Sequence, residues 1–241
     1  MNVLVVGGSG ATGRLLVRQL LNGGLSVTAI VRSPEKFIEI LGPQEHLSVV
    51  SAAVLDLSDE ELVQYVGECE AVASCLGHTL SLKGVYGHPR RLVSDATRRL
   101  CKAITASKPK KPVKFVLMNS TGCRNHDLAE VVSLAESGVV GLLRWLVPPH
   151  ADNEQAAAYL RSHIGLNDAC IEWCVVRPDS LVDIDDVSKY EIHPSPIRSA
   201  IFNSGKTSRI NVAHFMAELI TNDAVWKAWK GATPVIYNVE E

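Results

Sequence analysis

The stretch Met1-Asn2-Val3-Leu4-Val5-Val6-Gly7-Gly8-Ser9-Gly10-Ala11-Thr12-Gly13 decides the fold. Residues 3–6 are four apolar residues in succession. Continuous rather than alternating apolarity suits a parallel strand covered on both faces. Glycine then breaks the strand. Residues 12–22 set Leu15, Leu16, Leu20 and Leu21 on one side of a helix that Gly23-Gly24 ends. A strand, a glycine turn and a helix in this order present backbone N–H groups at a helix N-terminus with no side chain in the way, as a diphosphate requires. Gly7, Gly10 and Gly13 follow G-x-x-G-x-x-G rather than the dehydrogenase spacing G-x-G-x-x-G. Gly7, Ser9, Gly10, Ala11, Thr12, Gly13 and Arg14 are the candidate cofactor contacts of this turn.

Working outward, the strand–helix alternation continues. Residues 27–31, 47–50, 71–75, 113–118 and 171–176 are apolar runs of strand length, and residues 34–41, 59–66 after a Ser58 cap, 90–107 and 151–163 are helical patterns. This spacing implies right-handed βαβ crossovers and an α/β, Rossmann-type doubly wound, mostly parallel sheet. Residues 1–241 are expected to form one domain. After the sixth strand the pattern loosens: residues 179–208 read as irregular, with Pro194, Pro196 and Gly205, before a helix at 212–221 and a strand at 235–239. Ligands of open α/β sheets lie outside the carboxyl ends of the strands, so residues 179–241 are expected to contribute a small substrate-side lobe.

Composition narrows the function. The chain has 241 residues, 46% hydrophobic and 21% charged, with a formal net charge of -2. That balance offers no broad cationic field to hold nucleic acid or anionic lipid. The first apolar run stops after four residues and the run at 139–147 is interrupted by Arg144, so no membrane span is expected. Cys69, Cys75, Cys101, Cys123, Cys170 and Cys174 form no C-x-x-C pair, and His126-Asp127 and His193 lack metal-site spacing. The expectation is a cytoplasmic protein with free thiols and no metal, a monomer or small homo-oligomer acting on a small-molecule acceptor.

The end of the second strand selects the dinucleotide. An acidic residue there would bind the adenosine ribose of NAD, but this chain has Arg32-Ser33. A guanidinium and a hydroxyl hold a 2′-phosphate, and Arg14 adds a second cation, so NADP(H) is the expected cofactor. Asp56-Leu57, after the third strand, fit beside the adenine ring; Asp56 alternatively caps the next helix.

At these residues the chain resembles the atypical short-chain dehydrogenase/reductase superfamily, in its NAD(P)H-binding branch of NmrA-like and biliverdin-reductase-B-like proteins. The glycine stretch, Ala29-Ile30-Val31-Arg32, Val54-Leu55-Asp56-Leu57, Met118-Asn119-Ser120-Thr121-Gly122 and Trp173-Cys174-Val175-Val176-Arg177-Pro178 carry the resemblance. It implies a Rossmann fold, NADP(H), and in many relatives the reduction of flavins, quinones or related conjugated acceptors; some relatives only sense the nucleotide.

The chain departs from that pattern where chemistry is done. Relatives of the usual type carry Tyr-x-x-x-Lys on the helix before the sixth strand. Matching that helix at Leu160 puts Pro149 at the tyrosine place and Asn153 at the lysine place. Asn153 either bonds the nicotinamide ribose or is a helix-start polar residue. Ser120, after the fifth strand, stands where the family's substrate-orienting serine lies, and it is also good turn chemistry. His150 neighbours the missing tyrosine and titrates near neutrality, which makes it a candidate proton donor. Leu76-Gly77-His78 after the fourth strand lie on the cofactor side. The apolar run at 139–147 is expected to pack over the site. Two functions fit: an NADPH-dependent reductase passing hydride to a flavin, quinone or similar acceptor, or a non-catalytic NADP(H)-binding sensor or scaffold.

Overall fold

Apolar residues in an unbroken run send their side chains alternately to the two faces of a strand, so two cores are needed. In the computed structural model, which describes residues 1–78, 87–123, 148–199 and 203–239, Val3 and Val5 join one buried cluster and Leu4 and Val6 the other. The strands are β1 (Asn2–Val6), β2 (Ser26–Val31), β3 (Leu47–Ser51), β4 (Ala71–Ser74), β5 (Val113–Met118), β6 (Ile171–Pro178), β7 (Ser180–Val182), β8 (Tyr190–His193), β9 (Lys206–Ser208) and β10 (Val235–Asn238). The helices are α1 (Ala11–Asn22), α2 (Pro34–Leu41), α3 (Asp59–Gly67), α4 (Leu92–Ser107), α5 (Pro148–Tyr159), α6 (Arg209–Thr221) and α7 (Asp223–Trp229), and a π-helical turn, Leu160–Ile164, extends α5.

The main sheet has eight strands in the order β3-β2-β1-β4-β5-β6-β10-β8. All neighbours are parallel except β8, which runs antiparallel to β10. The fold is thus the doubly wound α/β arrangement expected from the alternation. Order reverses between β1 and β4, and the crevice of such a sheet opens at that switch. On one face α1 packs against α6; on the other α4 packs against both α3 and α5.

Local chemistry explains the boundaries. Gly24, with φ +77°, ends α1: its N–H donates to the Leu21 carbonyl at 2.9 Å and the Leu25 N–H to Leu20 at 3.1 Å. Ser58 starts α3 with a full capping box, its Oγ accepting from the Glu61 N–H while the Glu61 carboxylate accepts from the Ser58 N–H. Asp56 therefore does not cap α3; it lies exposed in the preceding turn.

Four readings needed correction, the first being α6, which begins at Arg209 behind a Ser208 cap rather than at residue 212. α4 begins at Leu92 rather than two residues earlier, and α5 begins at Pro148, three residues before the predicted start, because proline is preorganised for a first turn. The segment 179–208, read as irregular, contains β7, β8 and β9. β8 and β10 extend the main sheet, while β7 and β9 form a separate parallel pair. Three-residue strands carry too little apolar pattern to be seen. The missed α7 follows Asn222, whose Oδ1 accepts from the Ala224 and Val225 N–H groups. The segment 139–147 and the pair His126-Asp127 lie outside the described residues.

Candidate active site

The glycine turn follows β1 as expected, and its glycines do different jobs. A Cβ on Gly7, which has φ +76°, would stand 2.5 Å from the Cys75 carbonyl carbon, and one on Gly13 would collide with the Gly7 carbonyl oxygen. These two let β1, β4 and α1 approach one another. Gly10 is different: a Cβ there meets only the Gly7 oxygen, at 3.2 Å. Gly10 is the N-cap of α1, no side chain caps the helix, and Ser9, Gly10 and Ala11 are exposed. An uncapped helix N-terminus opening to solvent over bare backbone fits a diphosphate.

The remaining cofactor candidates line the carboxyl edge on either side. Arg32 and Ser33 follow β2 and are exposed; Ser33 begins α2 without a side-chain cap bond, and Arg32 makes no ion pair among the described residues. Arg14 is half-buried in the first turn of α1, Thr12 is buried, and Leu57 is buried beyond β3. The loop carrying Asp56 and Leu57 is held by Arg99 of α4, whose guanidinium donates to the carbonyls of Val54, Leu55 and Leu57 and pairs with Asp59 at 2.8 Å. Nothing in the sequence pattern pointed to Arg99. Leu76 and Gly77 follow β4, and the Cys75 N–H donates to the Val6 carbonyl at 2.9 Å, which sets them directly beside the glycine turn.

His78 continues that segment and meets a partner the sequence reading missed. Asp152 of α5 is buried, and its carboxylate accepts three hydrogen bonds: the Val93 N–H at 2.8 Å, the Ser94 N–H at 2.9 Å and His78 Nε2 at 2.8 Å. It thereby caps α4 and locks the loop after β4 to α5. A carboxylate at a helix N-terminus is favoured by the orphan amides and the dipole there.

One step further along the edge, β5 ends in Asn119, Ser120, Thr121 and Gly122. Buried Asn119 bridges strand and helix: its Nδ2 donates to the Asn153 carbonyl and its Oδ1 accepts from the Ser120 N–H, each at 2.9 Å. Asn153 is the sixth residue of α5, so the helix-start reading of its side chain falls. Ser120 Oγ accepts from the Gly122 N–H at 3.3 Å, a local serine turn, and its side chain is half-buried. The turn reading of Ser120 is thus what its hydrogen bond shows.

His150 converges on the same point. A Cβ added to Gly122 would lie 3.2 Å from His150 Cε1, 3.4 Å from its Nδ1 and 3.7 Å from Ser120 Oγ. The histidine is thus packed in the first turn of α5 against the serine turn, with its Nε2 3.6 Å from Glu154 Oε1. Behind them, buried Arg177 of β6 donates to the carbonyls of Cys123, Thr233 and Pro194, clamping the serine turn to the segments after β8 and before β10. Thr121 donates to Asp179, which also accepts from the Gly205 N–H at 2.9 Å. Burial raises the Asp179 carboxyl, and those hydrogen bonds oppose the shift.

Thiol chemistry is disfavoured beside the glycine turn: burial pushes the Cys75 thiol up to about 12. No disulfide joins any of the six cysteines. Among the described residues no group of His, Cys, Asp and Glu can hold a metal ion, and no helix is long and apolar enough to cross a membrane.

A doubly wound sheet with a glycine-lined helix N-terminus at its switch point defines a dinucleotide-binding protein. The chain belongs to the NAD(P)H-binding family, whose model matches residues 7–223. Solved structures with the same fold include a short-chain dehydrogenase/reductase of Veillonella parvula in complex with NADP (16% identity, 98% of this chain and 94% of that one, TM-score 0.66). An anaerobillin reductase of Escherichia coli O157:H7 is similar over 100% of this chain and 98% of its own, at 15% identity and TM-score 0.68. A Streptococcus pneumoniae protein described as a candidate NADH-flavin reductase matches 99% of this chain and 100% of its own, at 14% identity and TM-score 0.66. No curated protein matches the chain significantly in sequence.

Proposed function

We propose that this protein is a cytoplasmic NADPH-dependent reductase that passes hydride to a flavin, a quinone or a similar small conjugated acceptor. The observation that carries the proposal is the convergence of Ser120 Oγ and the His150 ring within 4 Å of one point, at the end of the strand beyond the uncapped glycine turn. Gly7, Ser9, Gly10, Ala11, Thr12 and Gly13 would hold the diphosphate; Arg32, Ser33 and Arg14 the 2′-phosphate; Asp56 and Leu57 the adenine side; and Leu76, Gly77 and Asn153 the nicotinamide half. The bound nucleotide supplies the hydride. Ser120 orients the acceptor by donating to its carbonyl or ring heteroatom, and His150 holds the proton that the reduced acceptor takes up. Acceptors that stabilise a negative charge by conjugation demand little of an enzymic acid, which suits a chain without the tyrosine.

Pro149 and Asn153 in place of the usual pair favour the second reading, an NADP(H) sensor without turnover. Aerobic oxidation of NADPH, followed by its absorbance with flavin mononucleotide and quinone acceptors, separates the two. Acceptor-dependent oxidation is expected; none, in protein that binds NADPH, leaves the sensor.

A further inference from the structure

His150 and Glu154 are four residues apart on α5, the spacing at which helical side chains meet. The ring has two neighbours: Nε2 lies 3.6 Å from the Glu154 carboxylate, while Cε1 and Nδ1 lie 3.2 and 3.4 Å from the Cβ position of Gly122, itself 3.7 Å from Ser120 Oγ. Both side chains are mostly buried, at 14% and 15% exposure. At this distance the carboxylate acts on the Nε2 edge by charge rather than by a hydrogen bond, and Nδ1 stays on the Gly122 side.

Among the described residues, the other charged groups that border this turn have partners of their own. Asp152 of α5 is saturated by the Val93 and Ser94 N–H groups and His78. On α4, Asp95 pairs with Arg98 at 3.1 Å. Beyond β5 and β6, Asp179 is held by Thr121 and Gly205, and Arg177 by three carbonyls.

We infer that Glu154 is the positioning residue of His150, and that this His-x-x-x-Glu pair does the work of the absent Tyr-x-x-x-Lys pair from one residue further along the helix. The inference rests on the reductase reading. In the step concerned the acceptor is reduced by two electrons: it gains hydride from the nicotinamide, which is oxidised, and a proton from the His150 imidazolium. The neutral imidazole then recovers a proton from solvent. Glu154 acts by its charge, holding the ring with Nδ1 on the Gly122 side and stabilising the imidazolium that donates the proton.

The test combines a binding-independent readout with turnover. Full-length protein carrying 13C at histidine Cε1 is titrated by NMR as wild type, Glu154→Gln and Glu154→Asp, with the His150 resonance assigned from His150→Gln. Removing an opposite charge at this distance should lower the His150 pKa by roughly one unit in Glu154→Gln, and aspartate should restore part of it. The alkaline fall of kcat for the flavin acceptor should move down by the same amount with little change in KM. Gly122→Ala, which crowds the ring, should lower kcat at least tenfold while preserving NADPH affinity. A His150 pKa that does not move, or a pH profile that stays put while the pKa moves, overturns the assignment of Glu154. A shifted pKa in a protein that reduces no acceptor overturns the reductase reading, and the catalytic role with it, while the ion pair stands.

Discussion

His78 Nε2 lies 2.8 Å from Asp152 Oδ2, with side-chain exposures of 5% and 1%. The pair joins the loop after β4 to the first turn of α5, and the same carboxylate caps α4. Three segments that border the site thus share one anion. Asp152→Ala would leave the Val93 and Ser94 amides and the imidazole without it in a buried place, at a cost of about 3 kcal/mol. Denaturant unfolding should show the loss as a lower midpoint at unchanged slope; a loss below about 1 kcal/mol would mean that α4 starts equally well without Asp152.

Arg32 is expected to decide the choice of nucleotide. A charge-assisted contact to the 2′-phosphate contributes on the order of 1.5–3 kcal/mol, a factor of tens in affinity. Calorimetric titration should find NADPH bound more tightly than NADH by wild type, and the preference lost or inverted in Arg32→Glu. An unchanged ratio would remove Arg32 from the phosphate site.

At the glycine turn, Gly10→Val should abolish nucleotide binding and barely move the thermal transition of the free protein, because its Cβ meets only one atom, at 3.2 Å. Gly13→Ala should do the reverse in order of severity, lowering the transition first, since its Cβ collides with the Gly7 carbonyl. Equal effects of the two on stability would contradict this division.

For Ser120→Ala the expected loss in kcat with a flavin or quinone is roughly ten- to a thousand-fold, with NADPH affinity little altered. The upper figure is the cost of losing an oxyanion-type donor, and the lower allows for water in its place. A kcat within twofold of wild type would leave Ser120 as a turn residue only.

Far from the site, Glu172 gives a pH-dependent stability term. Desolvation alone would raise its carboxyl, but hydrogen bonds from Lys230 at 2.6 Å and Trp226 Nε1 at 2.7 Å outweigh it and hold the group below its usual range. A lowered folded pKa stabilises the fold above the unfolded value of about 4.3, and the gain disappears as pH falls through the folded pKa. Glu172→Gln should therefore be less stable than wild type by on the order of 1 kcal/mol at pH 7, with the two melting curves converging toward pH 3. A pH-independent gap would sink the electrostatic account.

The framework was readable because a parallel sheet demands what residues 3–6, 113–118 and 171–176 display, apolarity on both faces without interruption. The glycine turn was readable because bare backbone at a helix start leaves glycines as its mark. The pairing of His150 with Glu154 was hidden by a boundary: with α5 begun at Ala151 the histidine falls outside the helix, and the four-residue relation disappears. Pro148-Pro149 carried the missing signal, since proline is well suited to a first turn. Asp152, Arg99 and Arg177 were hidden for another reason. Each acts on backbone groups 17 to 59 residues away in sequence, and a carboxylate or guanidinium that serves a distant main chain looks no different in the sequence from one facing solvent.

The close approach of Gly7 and Gly13 also bears on how a lineage of such chains would age. Two of the three motif glycines are demanded by the meeting of strand and helix, whatever the protein binds. A descendant that had given up nucleotides would be obliged to keep Gly7 and Gly13 and released from keeping Gly10. Drift at position 10, against constancy at its two companions, would therefore record the loss of the ligand.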